Sequence, residues 1–383
     1  MKRNIKLLAL FNFFIEFSFY YPIAIIYFSR VSGSYALGMS VFSITMLSSA
    51  LFEIPTGIFS DLIGRKKTMT CGALSNVIAV TCYALGGSYG MLVLGAIFEG
   101  LGRSFYSGNN NAFLHDVLSE SKQEHKYHEF LGKLSSAEHV GLTIVAILGS
   151  IIAHWSFALV MWLSVIPKCI NVIITLLFTE PENHTRGNEN IFNHLEIAIQ
   201  HFRKNKKLRL LSLNSMIGYA LEESSYSFRG IFVNTLWPLW AIGFINALSN
   251  VGATLSFFFN GKIINTYGFK KPLIFEVIYN RLTNLIALIF PTVASPLIMS
   301  TTSMTYGVGI TAKNTMLQKE FSSEQRATMG SLTSLLGSVL FAITSILLGF
   351  LGDTIGSQYA LIVINILLLT PLFLYKKIFQ KKT

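Results

Sequence analysis

Long apolar runs joined by short polar connections make up most of the chain. Twelve of them are long enough to cross a ~30 Å hydrocarbon core as helices. They fall at 5–28, 35–60, 67–86, 89–115, 127–153 and 155–178, then at 208–232, 237–260, 271–289, 293–317, 326–349 and 357–375. The seventh and eighth are the least regular, because Glu222, Glu223 and Arg229 interrupt the pattern. The first follows Met1-Lys2-Arg3 and has no small-residue cleavage site, so it reads as a spanning helix rather than a signal peptide. One polar stretch, Thr179 to Lys207, divides the chain near its middle. Ile191, Leu195, Ala198, Ile199 and Phe202 recur there at helical spacing, with His194, Glu196, His201 and Arg203 between them. This predicts an amphipathic helix on the membrane surface, followed by a basic run, Arg203 to Lys207, facing anionic headgroups. The expected organisation is a bundle at 1–178, a linker at 179–207 and a second bundle at 208–383.

Composition agrees. The 383 residues are 52% hydrophobic and 13% charged, against about 25% charged in soluble domains. Cys71, Cys82 and Cys169 all lie inside apolar runs, and no CxxC or Cys/His spacing points to a metal or a disulfide framework. A net charge of +11 would suit nucleic acid, but no basic run accompanies a soluble domain. With the N-terminus placed inside, only Arg30, Arg103, Lys168, Arg229, Arg281 and Lys313 fall outside cytoplasmic loops and tails, leaving 24 of the 30 Lys and Arg residues there. That asymmetry predicts both termini in the cytoplasm.

The densest polar motif is Gly57-Ile58-Phe59-Ser60-Asp61-Leu62-Ile63-Gly64-Arg65-Lys66-Lys67, between the second and third runs. A second copy, Gly261 to Lys271, follows the second run of the other half, with Asn265 in place of Asp61 and Gly268 in place of Gly64. Gly57, Asp61, Gly64, Arg65 and Lys66 match a Gly-x3-Asp-(Arg/Lys)-x-Gly-Arg-(Lys/Arg) loop, and the chain thereby resembles the major facilitator superfamily. Leu62 stands where that family usually has a cation. The resemblance implies an all-α membrane protein with twelve transmembrane helices in two pseudo-symmetric six-helix bundles. It also implies a conformational latch built from Gly57, Asp61, Gly64, Arg65, Lys66, Gly261, Asn265 and Gly268. The glycines would permit close helix approach and a tight turn. Asp61 would accept hydrogen bonds from the start of the eleventh helix, where Ser322 and Gln325 have capping-box spacing.

Ionisable groups inside a spanning helix are costly unless they face water or a partner. The resemblance implies that the first, fourth, seventh and tenth helices line a central cavity. Those runs carry Glu16, then Glu99 and Arg103, then Glu222, Glu223 and Arg229, then Lys313, which we take as the substrate and proton pathway. Glu99 and Arg103 are one turn apart and can pair, either to hold the helix or to act in transport. Adjacent Glu222 and Glu223 cannot face one cavity together; one suits a proton carrier unless Arg229, two turns on, neutralises Glu222. Glu16 lies near the middle of its run among Phe13, Phe14, Phe17 and Tyr20, and Asn109, Asn110 and Asn111 extend the polar character of the fourth. Lys168, Glu276 and Arg281 read first as interhelical partners. Two other family marks are weak: the nearest Arg to Gly100 and Gly102 is Arg103, and the fifth run has Gly141 and Gly149 but no Pro.

The expected function is proton-coupled secondary transport of a small solute by alternating access across the inner (cytoplasmic) membrane. Drug or metabolite efflux is the default, and import of a polar or chelated nutrient the alternative. A monomer in a lipid bilayer, without cofactor, metal or nucleic acid, is expected. No Gly-x4-Gly-Lys-(Ser/Thr) loop for nucleotide hydrolysis occurs. A membrane-embedded enzyme would need a polar cluster at one interface; His115, Asp116, His125 and His128 come nearest and match no zinc spacing. A non-transporting receptor on the same fold is the third reading.

Overall fold

The structure, a computed structural model, describes residues 2–120, 122–181, 202, 205–321 and 326–380. The predicted amphipathic helix, apart from Phe202, and the Ser322–Gln325 helix start lie outside these residues. Among the described residues every regular element is helical. In chain order they are α1 (Lys2–Ile15), α2 (Ala24–Ser32), α3 (Tyr35–Ile63), α4 (Arg65–Leu85), α5 (Tyr89–Tyr106), α6 (Asn109–Glu120), α7 (Tyr127–Trp155) and α8 (Phe157–Leu177). There follow α9 (Lys206–Leu236), α10 (Ile242–Tyr267), α11 (Lys270–Ile289), α12 (Ser295–Ser300), α13 (Ser303–Glu320), α14 (Arg326–Ile355), α15 (Ser357–Leu367) and α16 (Thr370–Phe379).

Eight stretches, resting on α3, α4, α7, α8, α10, α11, α14 and the α15–α16 pair, are apolar and long enough to cross a membrane. The four predicted spans missing from that set are the first, fourth, seventh and tenth. They are the ones that carry Glu16, Glu99, Arg103, Glu222, Glu223 and Lys313. A helix facing lipid on all sides cannot carry such charges, so these four are polar because part of each is shielded by its neighbours. The outer surface agrees, with Phe258 80% and Phe373 68% exposed, as side chains in contact with lipid tails can be.

Four runs predicted as continuous helices are interrupted. The fourth breaks at Ser107–Gly108, where Gly108 adopts φ +70°, a left-handed conformation that costs glycine little. The tenth breaks at Thr301–Thr302. Ser300, Thr301, Thr302 and Ser303 all turn their hydroxyls back onto carbonyls three residues earlier, at 2.6–2.7 Å. Such local bonds compete with the helix. In the twelfth, Pro371 restarts a helix at a position where its missing N–H is not needed. The first run breaks between Ile15 and Tyr21, for reasons given below.

By internal contact the chain falls into two compact units. The first comprises Met1–Gly33, Ser40–Gly187 and Leu239–Gly243; the second comprises Ser34–Met39, Asn188–Pro238 and Phe244–Thr383. The first unit has two separate apolar cores. One contains Leu8, Phe11, Met69, Phe113, Leu134, Ile174 and Phe178. The other contains Tyr20, Ile23, Phe28, Val80, Tyr83, Leu92, Ala96, Ala153, Val160 and Met161. On α1–α2, α7 and α8 the residues between the two sets include Glu16, Glu138 and Lys168. On α5, Glu99 follows Ala96 by one turn. A polar layer therefore crosses the unit between two apolar ones.

Small residues let α7 approach this layer. A Cβ at Gly149 would overlap the Phe19 carbonyl, and one at Gly141 would meet the Phe13 carbonyl. By contrast, a Cβ at Gly132 on the same helix would meet nothing within 4 Å. Gly149→Ala should therefore lower the melting temperature of the detergent-solubilised protein, with an overpacking cost of ~1–3 kcal/mol. Gly132→Ala should leave it unchanged or raise it, because Ala is the better helix former by about 1 kcal/mol. Equal melting temperatures for the two variants would contradict this packing.

Candidate functional site

The charges predicted for the first unit converge on the break in the first span. Lys168, only 2% exposed, sits on α8 just after Pro167. Its ammonium donates to the Ile15 carbonyl at 2.5 Å and lies 5.8 Å from the centre of the Tyr21 ring. The last carbonyls of a helix have no partner within it and carry the negative end of its dipole. A buried cation placed there satisfies one of them and favours termination at Ile15. Beyond the break, Tyr21-Pro22-Ile23 forms a 3-10 turn with Pro22 near its start, and α2 completes the span.

Glu99 and Arg103 pair as the spacing predicts, Nη2 to Oε1 at 3.1 Å. The other Glu99 oxygen accepts from Tyr83 at 2.9 Å and from Tyr20 at 3.4 Å. This buried carboxylate is thus fully engaged. Glu16 lies beside the Tyr21 side chain and feels the charges of Arg103 and Lys168. Glu138 of α7 lies within electrostatic reach of Glu16 and Arg103. It was not among the residues expected from sequence, because its run reads as a peripheral span with a solvated start. Further along, the Asn12 and Asn110 amides are joined by a 2.8 Å bond.

The signature loop is pinned within the same unit. Gly64 takes φ +93° and precedes α4. The Glu180 carboxylate caps α4, accepting from the backbone N–H of Arg65 at 2.6 Å and of Lys66 at 2.9 Å. Arg65 donates to Ser60 Oγ at 2.9 Å and pairs with Asp116 of α6 at 3.6 Å. Asn109 accepts from Ser60 at 2.9 Å and donates to the Arg65 carbonyl at 3.2 Å. Gly57 has open space around it, so it serves no close approach, contrary to expectation. In the second copy Gly268 is also left-handed, at φ +68°, whereas Gly261 has open space and Asn265 is exposed. The Asp61 side chain lies outside the description, as does its expected partner helix start. Asp116, read from sequence as nearest to an enzymatic cluster, is instead the loop's counter-ion; the described residues contain no group that could hold a metal.

In the second unit Lys313 of α13 stands between two carboxylates, Glu222 of α9 at 3.5 Å and Glu276 of α11 at 3.7 Å. Glu276 is 3% exposed, and its Oε2 has no hydrogen-bond partner. A Cβ at Gly309 would overlap this carboxylate, so only glycine leaves room for it against α13. Glu276 was expected to be an interhelical partner, and it is one; it also completes the charge cluster. Arg281 donates to Asn365 at 3.1 Å. Arg229 does not neutralise Glu222. It is buried against Ser249 at 3.4 Å and over the Tyr226 ring, because at seven residues' separation on α9 the nearer acceptors belong to other groups. Glu223, on the neighbouring face, is close to Tyr226 and Tyr306.

Helices that are apolar outside and carry paired charges inside each unit define a polytopic membrane protein. The chain belongs to the Major Facilitator Superfamily, whose sequence profile matches residues 7–345. The uncharacterized MFS-type transporter YxaM of Bacillus subtilis is 21% identical over 348 residues, covering 86% of this chain and 84% of that protein. An uncharacterized transporter of Buchnera aphidicola is 23% identical over 220 residues, 54% of this chain. That match spans about half, 53%, of the Buchnera protein's length. The crystal structure of the nucleoside transporter NupG superposes with a TM-score of 0.83 at 16% identity, covering 100% of both chains. At that identity the likeness shows the fold.

The Glu180 cap and the Gly64 turn are coupled, since a Cβ at Gly64 would lie 2.7 Å from Glu180 Oε1. Glu180→Ala should cost ~1 kcal/mol for the lost cap. Gly64→Ala should cost more, adding to the clash ~1–3 kcal/mol of backbone strain in a conformation that only glycine adopts readily. In the double variant the clash vanishes and the strain stays, so the two losses should sum to more than is measured. Strict additivity of the shifts in melting temperature would refute the contact.

Proposed function

We propose that this transporter is a proton-coupled secondary transporter of a small solute, and that Glu222, Glu276 and Lys313 form its proton site. The observation that carries the reading is one ammonium shared by two carboxylates inside a membrane helix bundle. Two carboxylates close to one cation cannot both stay ionised without cost when water is scarce, so one site for a transferable proton results. The unpartnered oxygen of Glu276 offers the place where that proton would sit, and Lys313 would respond to its arrival by turning fully toward Glu222. Discrete rearrangement of such a pair is a way for proton binding to bias one conformation over another.

The first unit contributes the complementary part. Its polar layer, with Glu16, Glu99, Arg103 and Lys168 at an interrupted helix, fits a solute site in which unwound backbone and charged side chains face a ligand. The loop network around Gly64 and Arg65 is read as part of the device that stabilises one conformation, and the positive-inside count supports placing it in the cytoplasm.

The test is solute-driven proton movement in proteoliposomes, followed with a lumenal pH dye across a panel of nucleosides, sugars, amino acids and amines. At least one solute should move protons with the parent protein. Glu222→Gln and Glu276→Gln should each reduce proton movement at least tenfold while solute counterflow continues. Proton movement of parental size in both variants would remove the assignment.

A further inference from the structure

The charges of the first unit do not balance. Glu16, Glu99 and Glu138 face two cations, Arg103 and Lys168; both bear on Glu16 through space, but each makes its direct contact with another group. Arg103 is held by Glu99, Nε at 3.3 Å and Nη2 at 3.1 Å. Lys168 is held by the Ile15 carbonyl. Beyond these cations, Glu16 has the Tyr21 hydroxyl beside it. Among the described residues, neither Glu16 nor Glu138 has an ion pair within 4 Å. A second observation lies in the break itself. Ser18, two residues beyond Glu16, is 0% exposed, and its hydroxyl has no partner. Buried hydroxyls are normally bonded, so an orphan in an unwound turn marks a place where a ligand or water belongs. Aromatic residues flank it along the chain: Phe13, Phe14 and Phe17 meet one another at centroid distances of 4.9–5.7 Å, and Tyr21 packs against Tyr20 at 4.9 Å.

We propose that the break in the first span is the binding site for an organic ammonium with an aromatic or apolar body. Glu16 and Glu138 take the charged nitrogen. The Ser18 hydroxyl accepts one of its protons, and the faces of Phe13, Phe17 and Tyr21 hold the body and add cation–π attraction. An added cation restores neutrality to the layer, which three carboxylates and two cations do not achieve alone. Lys168 already shows the preference of the break, since a tethered ammonium occupies the carbonyl end of α1. This assignment rests on the transporter reading, and it names the chemical class of the solute. It does not rest on the proton site in the second unit.

Equilibrium binding separates the two. Purified protein in detergent is titrated with tyramine and, separately, with 4-ethylphenol, which has the same ring and hydroxyl but no amine. Tyramine should bind at least tenfold more tightly than 4-ethylphenol, and Glu16→Gln and Glu138→Gln should each weaken it at least tenfold. Glu276→Gln, in the other unit, should bind tyramine as the parent does even if it no longer moves protons. Where Glu16→Gln fails to fold, Glu138→Gln and Ser18→Ala decide, each checked for an unchanged melting temperature. Equal affinity for the amine and its neutral analogue, no binding of tyramine by the folded parent, or parental affinity in the folded carboxylate variants would each overturn the proposal.

Discussion

A charge inside a membrane helix bundle has to find its partner within the bundle, because neither lipid nor distant water will supply one. That constraint organises both units. In the first, Lys168 meets it by bonding to the end of α1, and Glu99 meets it with one guanidinium and two phenols. In the second, Lys313 meets it twice over, against Glu222 and Glu276. The positions of these groups decide where helices can stop, which glycines are needed and which faces must be hidden from lipid.

The interruption of the first span follows from the same rule. A break at mid-span leaves backbone carbonyls without partners, which hydrocarbon does not tolerate. Here the cost is offset by the Lys168 ammonium, by short turns within residues 14–21, and by α7, whose Gly141 and Gly149 let the exposed backbone pack closely. The apolar cores on either side hold the two half-helices in line. Non-helical backbone is thus confined to a polar layer between two apolar cores.

The signature loop shows how one motif is embedded in a wider network. Its glycine supplies the left-handed turn, but the anchor is Glu180, more than a hundred residues on, whose carboxylate sits at the positive end of α4. Arg65 then reaches Ser60 and Asp116, while Asn109 ties the strand of contacts back to the Arg65 carbonyl. The second copy repeats the turn at Gly268 without an equivalent acid at Asn265. The duplicated loops share a positive-φ glycine and differ in charge.

Sequence alone settled what depends on local composition. Apolar length defined the spans, and an i, i+4 spacing identified the Glu99–Arg103 pair. It did not settle what depends on which groups meet across helices. Arg229 shares a helix with Glu222, yet Lys313 from α13 is the partner, because interhelical packing brings a distant ammonium closer than a cation two turns away. Glu276 read as an interhelical partner without a named counterpart, and Glu138 and Glu180 carried no signal in the sequence at all. Only folding placed them against Lys313, beside Glu16 and Arg103, and on the first amides of α4. The break at Ile15 was hidden for the same reason. Residues 5–28 read as an unbroken apolar run, and the cation that ends the first helix comes from residue 168.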